Sequence, residues 1–231
     1  MVQVNNERLT IRLKFKKTGN LQYISHLDLV RTMHKIIVRA KLPLYYSEGF
    51  NPKPKMVFAA PLSIGTESYA EYMDLRLSEY MEPSEVMDRL NANMTREMQI
   101  TEAYYPTTGF TDLKWMKYLI KITTAGACRD FAEKCREILL SERVEVVKNS
   151  KSGEKTVDIR PLIRDVECDS DGESVILHAT LSADQSAFLN PELIIKVLRD
   201  AMGILSGEDM TAEYYSVLRI SAHVDNMDEF R

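Results

Sequence analysis

The sequence predicts an α+β chain of two tandem ferredoxin-like (β-α-β-β-α-β) units, with helices on one face of each antiparallel sheet. Three observations predict it. Strand-like alternation and helical spacing follow one another in the order β-α-β-β-α-β over residues 1–109. The same order, with an added hairpin strand, returns over residues 110–231. The charge repeats too. Lys/Arg against Asp/Glu number 11 and 3 in residues 1–60, 3 and 10 in 61–112, 12 and 8 in 113–165, and 4 and 13 in 166–231. Identity between the halves is poor, so the repeat is architectural. One continuous α+β domain with a mixed sheet is the alternative.

In the first half, residues 8–16 (RLTIRLKFK) alternate strictly. Leu9, Ile11, Leu13 and Phe15 take one face; Arg8, Arg12, Lys14 and Lys16 take the other. That is a half-buried strand. Ser25 reads as an N-cap, with Asp28 in the capping-box place. Leu27, Val30, Met33, Ile37 and Ala40 then recur at helical spacing, and Pro43 lies past the end. A Pro-rich loop, YYSEGFNPKPK, leads to the apolar run MVFAAPLSIG. Residues 69–77 (YAEYMDLRL) read as a strand, 84–93 as a helix opened by Pro83 and Ser84, and MQITEAYYP as the closing strand.

The second half follows a turn at 107–112. KWMKYLIKIT reads as a strand and RDFAEKCREILLS as a helix with Phe131, Cys135, Ile138 and Leu139 on its apolar stripe. RVEVVK and KTVDIRPLI flank the polar loop NSKSGE, a hairpin signature. SVILHATLS is a strand. Asn190 caps a helix with Pro191 at its first position and Gly203 as its stop. EYYSVLRISAHV closes the unit.

Composition excludes several classes. The 231 residues are 45% hydrophobic and 28% charged, an ordinary globular balance that rules out wholesale disorder. No window reaches the ~18–20 apolar residues of a membrane span. The N-terminal MVQVNNERLTIRLKF carries no apolar signal region, so a cytoplasmic location and no membrane partner are expected. Three cysteines, Cys128, Cys135 and Cys168, form no CxxC pair. An iron–sulfur cluster held by this chain alone, which usually needs four thiolates, is not expected. No HxxxH pair marks a zinc site, and GxGxxG, GxxxxGK[ST] and GxSxG are absent.

Local charge points to an anionic partner. Basic strand faces carrying Arg8, Arg12, Lys14 and Lys16, with Tyr72, Asp74 and Arg76 on the neighbouring central strand, and Lys117 and Lys121 in the second half, would track phosphates if the sheets are open. A solvated face, or a seam neutralised by Asp74 and Asp112, is the bland alternative. The segment from Tyr45 to Lys55 is the most unusual. Pro52 and Pro54 stiffen it, Gly49 permits positive φ, and Lys53 and Lys55 project on one side. His26 and Asp28 stand in the first turn of the first helix, where exposed amides favour an anion. Asp158 and Arg160 share a face at a strand end.

The motifs YISHLDLVRTMHK, SEGFNPKPKMVFAAPLSIGTES and VDIRPLI resemble those of the uncharacterised bacterial radical SAM-linked proteins. These are encoded beside, or fused to, a radical SAM enzyme. The resemblance spans most of the chain and is most specific over residues 23–68. It implies a radical SAM protein as partner. That partner would carry the SAM, the iron–sulfur cluster and a cobalamin-binding domain, with no cofactor on this chain. If the family motifs mark a site, it comprises His26, Asp28, Ser47, Gly49, Phe50, Asn51, Pro52, Lys53, Asp158 and Arg160. A weaker resemblance to the tandem ferredoxin-like endoribonucleases of CRISPR systems lacks their Gly-rich loop before the last strand, since Met210-Thr211-Ala212 holds no Gly.

The expected function is a non-catalytic accessory protein that presents RNA to the radical SAM partner. The RNA-contacting residues are then Arg12, Lys14, His26, Asp28, the loop residues Ser47, Gly49, Phe50, Asn51, Pro52, Lys53 and Lys55, and Asp158 and Arg160. A protein–protein adaptor without RNA binding is one alternative. A metal-independent RNA-processing enzyme with His26 as general base is another.

Overall fold

The computed structural model describes residues 9–150, 153–207 and 212–231, without the side chains of 149 and 150. Arg8, Met210 and Thr211 lie outside them. The chain divides into two compact units, Met1–Asp112 with Arg231, and Leu113–Phe230. The sequence places the division at 109/110. Both units are mixed α+β, and four helices occur among the described residues.

Unit 1 runs β1 (Thr10–Lys17), α1 (His26–Arg39), β2 (Met56–Phe58), β3 (Thr66–Arg76), α2 (Pro83–Asn91) and β4 (Met98–Tyr104). The strand order is β4-β1-β3, with β2 paired to β3, and every one of these pairings is antiparallel. The alternation of β1 does what its period requires. Ile11, Leu13 and Phe15 enter one core with Met73 and Leu75 of β3 and Met98 and Ile100 of β4. Both helices close that core, α1 through Leu29, Met33, Ile36 and Ile37, α2 through Val86 and Leu90. The helical stripe read from the sequence is therefore rotated. Leu27 is exposed and Val30 only half-buried, whereas Leu29 and Ile36 are buried. The start of α1 explains it: Ser25 accepts from the Asp28 amide at 3.1 Å, and the first turn before Leu29 stays in solvent.

Unit 2 runs β5 (Trp115–Thr123), α3 (Arg129–Leu139), β6 (Glu145–Ser150), β7 (Gly153–Asp158), β8 (Ile163–Ser170), β9 (Ser174–Ser182), α4 (Glu192–Met202) and β10 (Tyr214–His223). Its main sheet has the antiparallel order β10-β5-β9-β8. Met116, Tyr118, Ile120 and Ile122 alternate into the interior from β5, as do Val175, Leu177, Ala179 and Leu181 from β9. The unit holds two more strands than the repeat requires, where the sequence reading allowed one. β6 and β7 form a separate two-stranded sheet, and β8 is a strand of its own on the main sheet. β8 escapes a period-two reading because its register shifts between Ile163 and Asp165, so its buried apolar residues, Ile163 and Val166, fall three apart. α4 begins at Glu192, whose amide donates to the Asn190 side chain at 3.1 Å. It ends at Gly203 with φ +68°, a left-handed cap that a Cβ would strain.

Burial separates the three thiols. It pushes Cys135 up to about 11 and Cys168 up to about 12, while Cys128 is exposed. Since the thiolate is the reactive form, iodoacetamide at pH 8 is expected to label Cys128 and spare the other two until the chain unfolds. Peptide mass mapping checks it. Equal labelling of all three in the native protein would contradict the packing of α3.

Candidate nucleic-acid interface

The second face of the unit 1 sheet, turned from the helices, carries the polar residues of β1 and β3. Antiparallel register sets Val57, Asp74, Arg12 and Tyr104 side by side across β2, β3, β1 and β4. One row toward the end of β3, Arg76 lies opposite Thr10. Its amide donates to the Lys55 carbonyl at 3.0 Å, which brings Lys55 alongside. One row the other way, Tyr72, Lys14 and Glu102 align.

The expected open row of cations is not what stands on this face. Arg12 is 0% exposed. Its Nε and Nη2 donate to the two Asp74 carboxylate oxygens at 2.7 and 2.9 Å. Its Nη1 donates to Thr108 Oγ1 and its Nη2 to the Thr108 carbonyl, both at 3.0 Å. The Phe110 ring covers the guanidinium at 4.5 Å. Lys14 donates to Glu102 at 2.7 Å, and Tyr72 is buried. Charge neutralisation by Asp74 therefore holds, while Asp112 instead accepts from the Gly109 amide at 2.8 Å. A buried cation needs such partners, because burial without them would cost several kcal/mol.

Positive charge is exposed one row further on, around a finger formed by residues 45–55. The Tyr45 amide donates to Arg76, and the Lys55 amide donates back to Tyr45 at 3.1 Å. Tyr46 bridges Pro54, and the Ser47 amide donates to the Lys53 carbonyl at 2.9 Å. Ser47 Oγ then accepts from the Lys53 amide at 3.1 Å, which closes the tip from both sides. Gly49 takes φ +122°, a backbone region L residues rarely adopt, so the turn depends on it. Phe50 at the tip is fully exposed, and Glu48, Asn51 and Pro52 beside it are exposed too. Pro54 is buried, so Lys53 and Lys55 on either side of it point outward. Neither lysine makes an ion pair with a described residue. Between the finger and the sheet lies a groove of about 240 Å³ lined by Thr10, Lys55, Val57, Asp74, Arg76 and Phe110.

The remaining sequence candidates lie elsewhere. His26 contacts the Phe58 ring edge-on at 5.4 Å, in a groove of about 400 Å³ bounded by Val30 and residues 56–61. Val57 and Phe58 point to opposite faces of β2, so His26 is on the helix side and Lys55 on the other. Ser25 caps α1 by accepting from the Asp28 amide, and the Asp28 carboxylate accepts from the Ser25 hydroxyl at 2.7 Å and pairs with Arg31 at 3.4 Å. In unit 2, Asp158 accepts from the amides of Arg160 and Val144, both at 3.0 Å, and these bonds hold its carboxyl below the usual range. Arg160 donates to the Ile163 carbonyl at 2.8 Å. That pair fastens the foot of the β6–β7 hairpin. The RNA-contacting residues expected from the sequence do not include Arg76, Tyr45 or Phe110. Alternation of residues 69–77 put Arg76 beside Asp74, but nothing local marks its stacking on Tyr45 at 4.7 Å. Phe110 sits in a short turn without periodicity.

Among the described residues no group of three His, Cys, Asp or Glu could hold a metal ion, and no helix is long and apolar enough to cross a membrane. The sequence profile of a family described as "Uncharacterized protein conserved in bacteria (DUF2344)" matches residues 10–191. The chain belongs to the DUF2344 family. The match includes the finger, the Arg12–Asp74 pair and the β6–β7 hairpin. No curated protein matches this DUF2344 chain in sequence. Its fold is similar to that of a chain in a Cbf5–Nop10–Gar1 complex, with TM-score 0.51 and 10% identity over 92% of this chain and 48% of the other. A chain of an H/ACA RNP bound to a substrate RNA containing 2′-deoxyuridine gives TM-score 0.47 and 12% identity over 91% and 46%. A chain of an archaeal box H/ACA sRNP Nop10–Cbf5 complex gives 0.46 and 11% over 90% and 46%. The DUF2344 chain thus spans about half the length of these chains.

Proposed function

We propose that this DUF2344 protein is a non-catalytic accessory subunit that holds single-stranded RNA on the finger of unit 1 and presents it to a radical SAM enzyme. One observation carries the RNA reading: a closed, proline-braced finger bears two outward lysines without ion pairs among the described residues and a fully exposed aromatic tip. Cations that track a backbone beside a ring that stacks bases are what sequence-tolerant binding of single strands requires. The radical SAM partner is supported by the resemblance at residues 23–68 and 157–163, and it would carry the SAM, iron–sulfur and cobalamin chemistry. Two tandem ferredoxin-like units are our reading of the strand orders β4-β1-β3-β2 and β10-β5-β9-β8. Compared with the sequence expectation, the contact set loses Arg12 and Lys14, keeps Phe50, Lys53 and Lys55 of the finger, and gains Arg76.

The test is fluorescence anisotropy of a labelled single-stranded RNA between about 50 and 200 mM salt. Binding without turnover is expected, falling steeply with salt. Lys53→Ala/Lys55→Ala should lower the slope of log affinity against log salt by about 1.4, the share of two phosphate contacts on a single strand. Phe50→Ala should weaken binding by about 1–3 kcal/mol without changing that slope. No binding at low salt overturns the RNA reading and leaves a protein–protein adaptor. Cleavage of the RNA that is lost in His26→Ala would make the chain an enzyme instead.

A further inference from the structure

We infer that the groove beneath the finger is a nucleobase pocket, in which the Asp74 carboxylate accepts a hydrogen bond from the exocyclic amino group of an unstacked cytosine or adenine. The inference deepens the RNA reading and rests on it for the strand that delivers the base. Its own grounds are the shape and chemistry of the groove. All six lining residues come from unit 1: Thr10, Lys55, Val57, Asp74, Arg76 and Phe110.

The groove has an oriented acceptor on its floor. Arg12 takes one lone pair from each Asp74 oxygen, at 2.7 and 2.9 Å, and fixes the carboxylate plane. A carboxylate offers about four acceptor positions, so capacity remains on the side open to the groove. The Asp74 side chain is 18% exposed while Arg12 is 0% exposed, so of the pair only the acceptor reaches the opening. Thr10 adds a hydroxyl on the floor. Val57, 52% exposed, and Phe110 supply apolar walls for a flat ring. Lys55 and Arg76 stand at the rim toward the finger, where the phosphate of the same nucleotide would lie.

The acceptor sets the preference. Cytosine N4 and adenine N6 bring two N–H donors on an exocyclic nitrogen that reaches out from the ring. Uracil has a single ring N–H between two carbonyl oxygens. Offered to the carboxylate, it sets those oxygens against the negative charge. A hydrogen bond to a charged acceptor corresponds to roughly tenfold or more in affinity. The pocket therefore selects cytosine and adenine over uracil, while the finger binds the strand regardless of base.

The experiment compares 5′-labelled oligo(C), oligo(A) and oligo(U) of equal length, and cytidine, adenosine and uridine 5′-monophosphates, on the full chain. Asp74→Asn would strand Arg12 and is expected to damage the fold, so the blocking variant is Val57→Trp, which fills the groove and leaves the ion pair intact. Oligo(C) and oligo(A) should bind roughly tenfold more tightly than oligo(U). Val57→Trp should erase that difference and keep the salt slope set by Lys53 and Lys55. Equal affinity for all three oligomers, or a preference that survives in Val57→Trp, overturns the pocket while the RNA reading stands. If no oligomer binds, the RNA reading falls, and the monophosphates decide the pocket. Binding of the cytidine or adenosine form over the uridine form, lost in Val57→Trp, upholds it as a free-nucleotide site. No such difference overturns it too.

Discussion

Replacing Arg12 by Met is expected to destabilise unit 1 by about 3–5 kcal/mol, the usual cost of removing one partner from a buried ion pair. The cost arises on Asp74. Its carboxylate, 18% exposed, loses both guanidinium donors at 2.7 and 2.9 Å and keeps only what reaches it from the groove. The Thr108 carbonyl also loses its donor. Native-state hydrogen exchange at the amides of β1 and β3 reads the change locally. Replacing both partners, Arg12→Met with Asp74→Leu, should restore most of the loss, because two apolar groups need neither charge nor donor there. A single substitution that costs less than ~1 kcal/mol would mean that solvent reaches the Arg12 end of the pair as well as Asp74.

Phe15→Ala should cost about as much, roughly 3–5 kcal/mol, for an unrelated reason. Phe15 stands on the other face of the same strand, 0% exposed, and meets Phe58 edge-on at 6.3 Å. Removing the ring leaves a cavity in the core that β1 shares with α1 and β3. Among the described residues Phe58 then keeps the His26 ring alone. Hydrogen exchange should show the loss in α1 as well as in β1, since both elements share that core. Loss confined to β1 would contradict the shared packing of helix and sheet.

These two residues show what sequence can and cannot reveal about the fold. Alternation in β1 is a local property, and it assigns Phe15 and Arg12 to opposite faces correctly. It implies that the charged face is wet. The burial of Arg12 depends on Asp74, 62 positions away, and Thr108, 96 positions away, whose approach no local pattern encodes. The bulge in β8 is a second case, because one extra residue breaks the period on which strand recognition relies. For the candidate site, the finger was legible because its stiffness and charge are written in consecutive residues. Ser47 closing on Lys53, six positions on, lies within that reach. Arg76 was legible only as a residue on the polar face of its strand, and Phe110 not at all, since their place at the groove follows from strand register and from the path of a turn.

β2 has only three residues, and among the described residues its one strand partner is β3. It is therefore a free margin of the unit 1 sheet, where a strand from another molecule could pair. The residues that lead into it oppose that. Pro52 and Pro54 lack an amide to donate, and Lys53 and Lys55 repel a second copy of the same segment. The finger thus guards solubility with the same side chains proposed to bind RNA. A variant with Pro54→Val, Lys53→Val and Lys55→Val would be expected to self-associate, and its weakened RNA binding would then report aggregation rather than a lost contact. Alanine at the two lysines, with both prolines kept, separates the two effects.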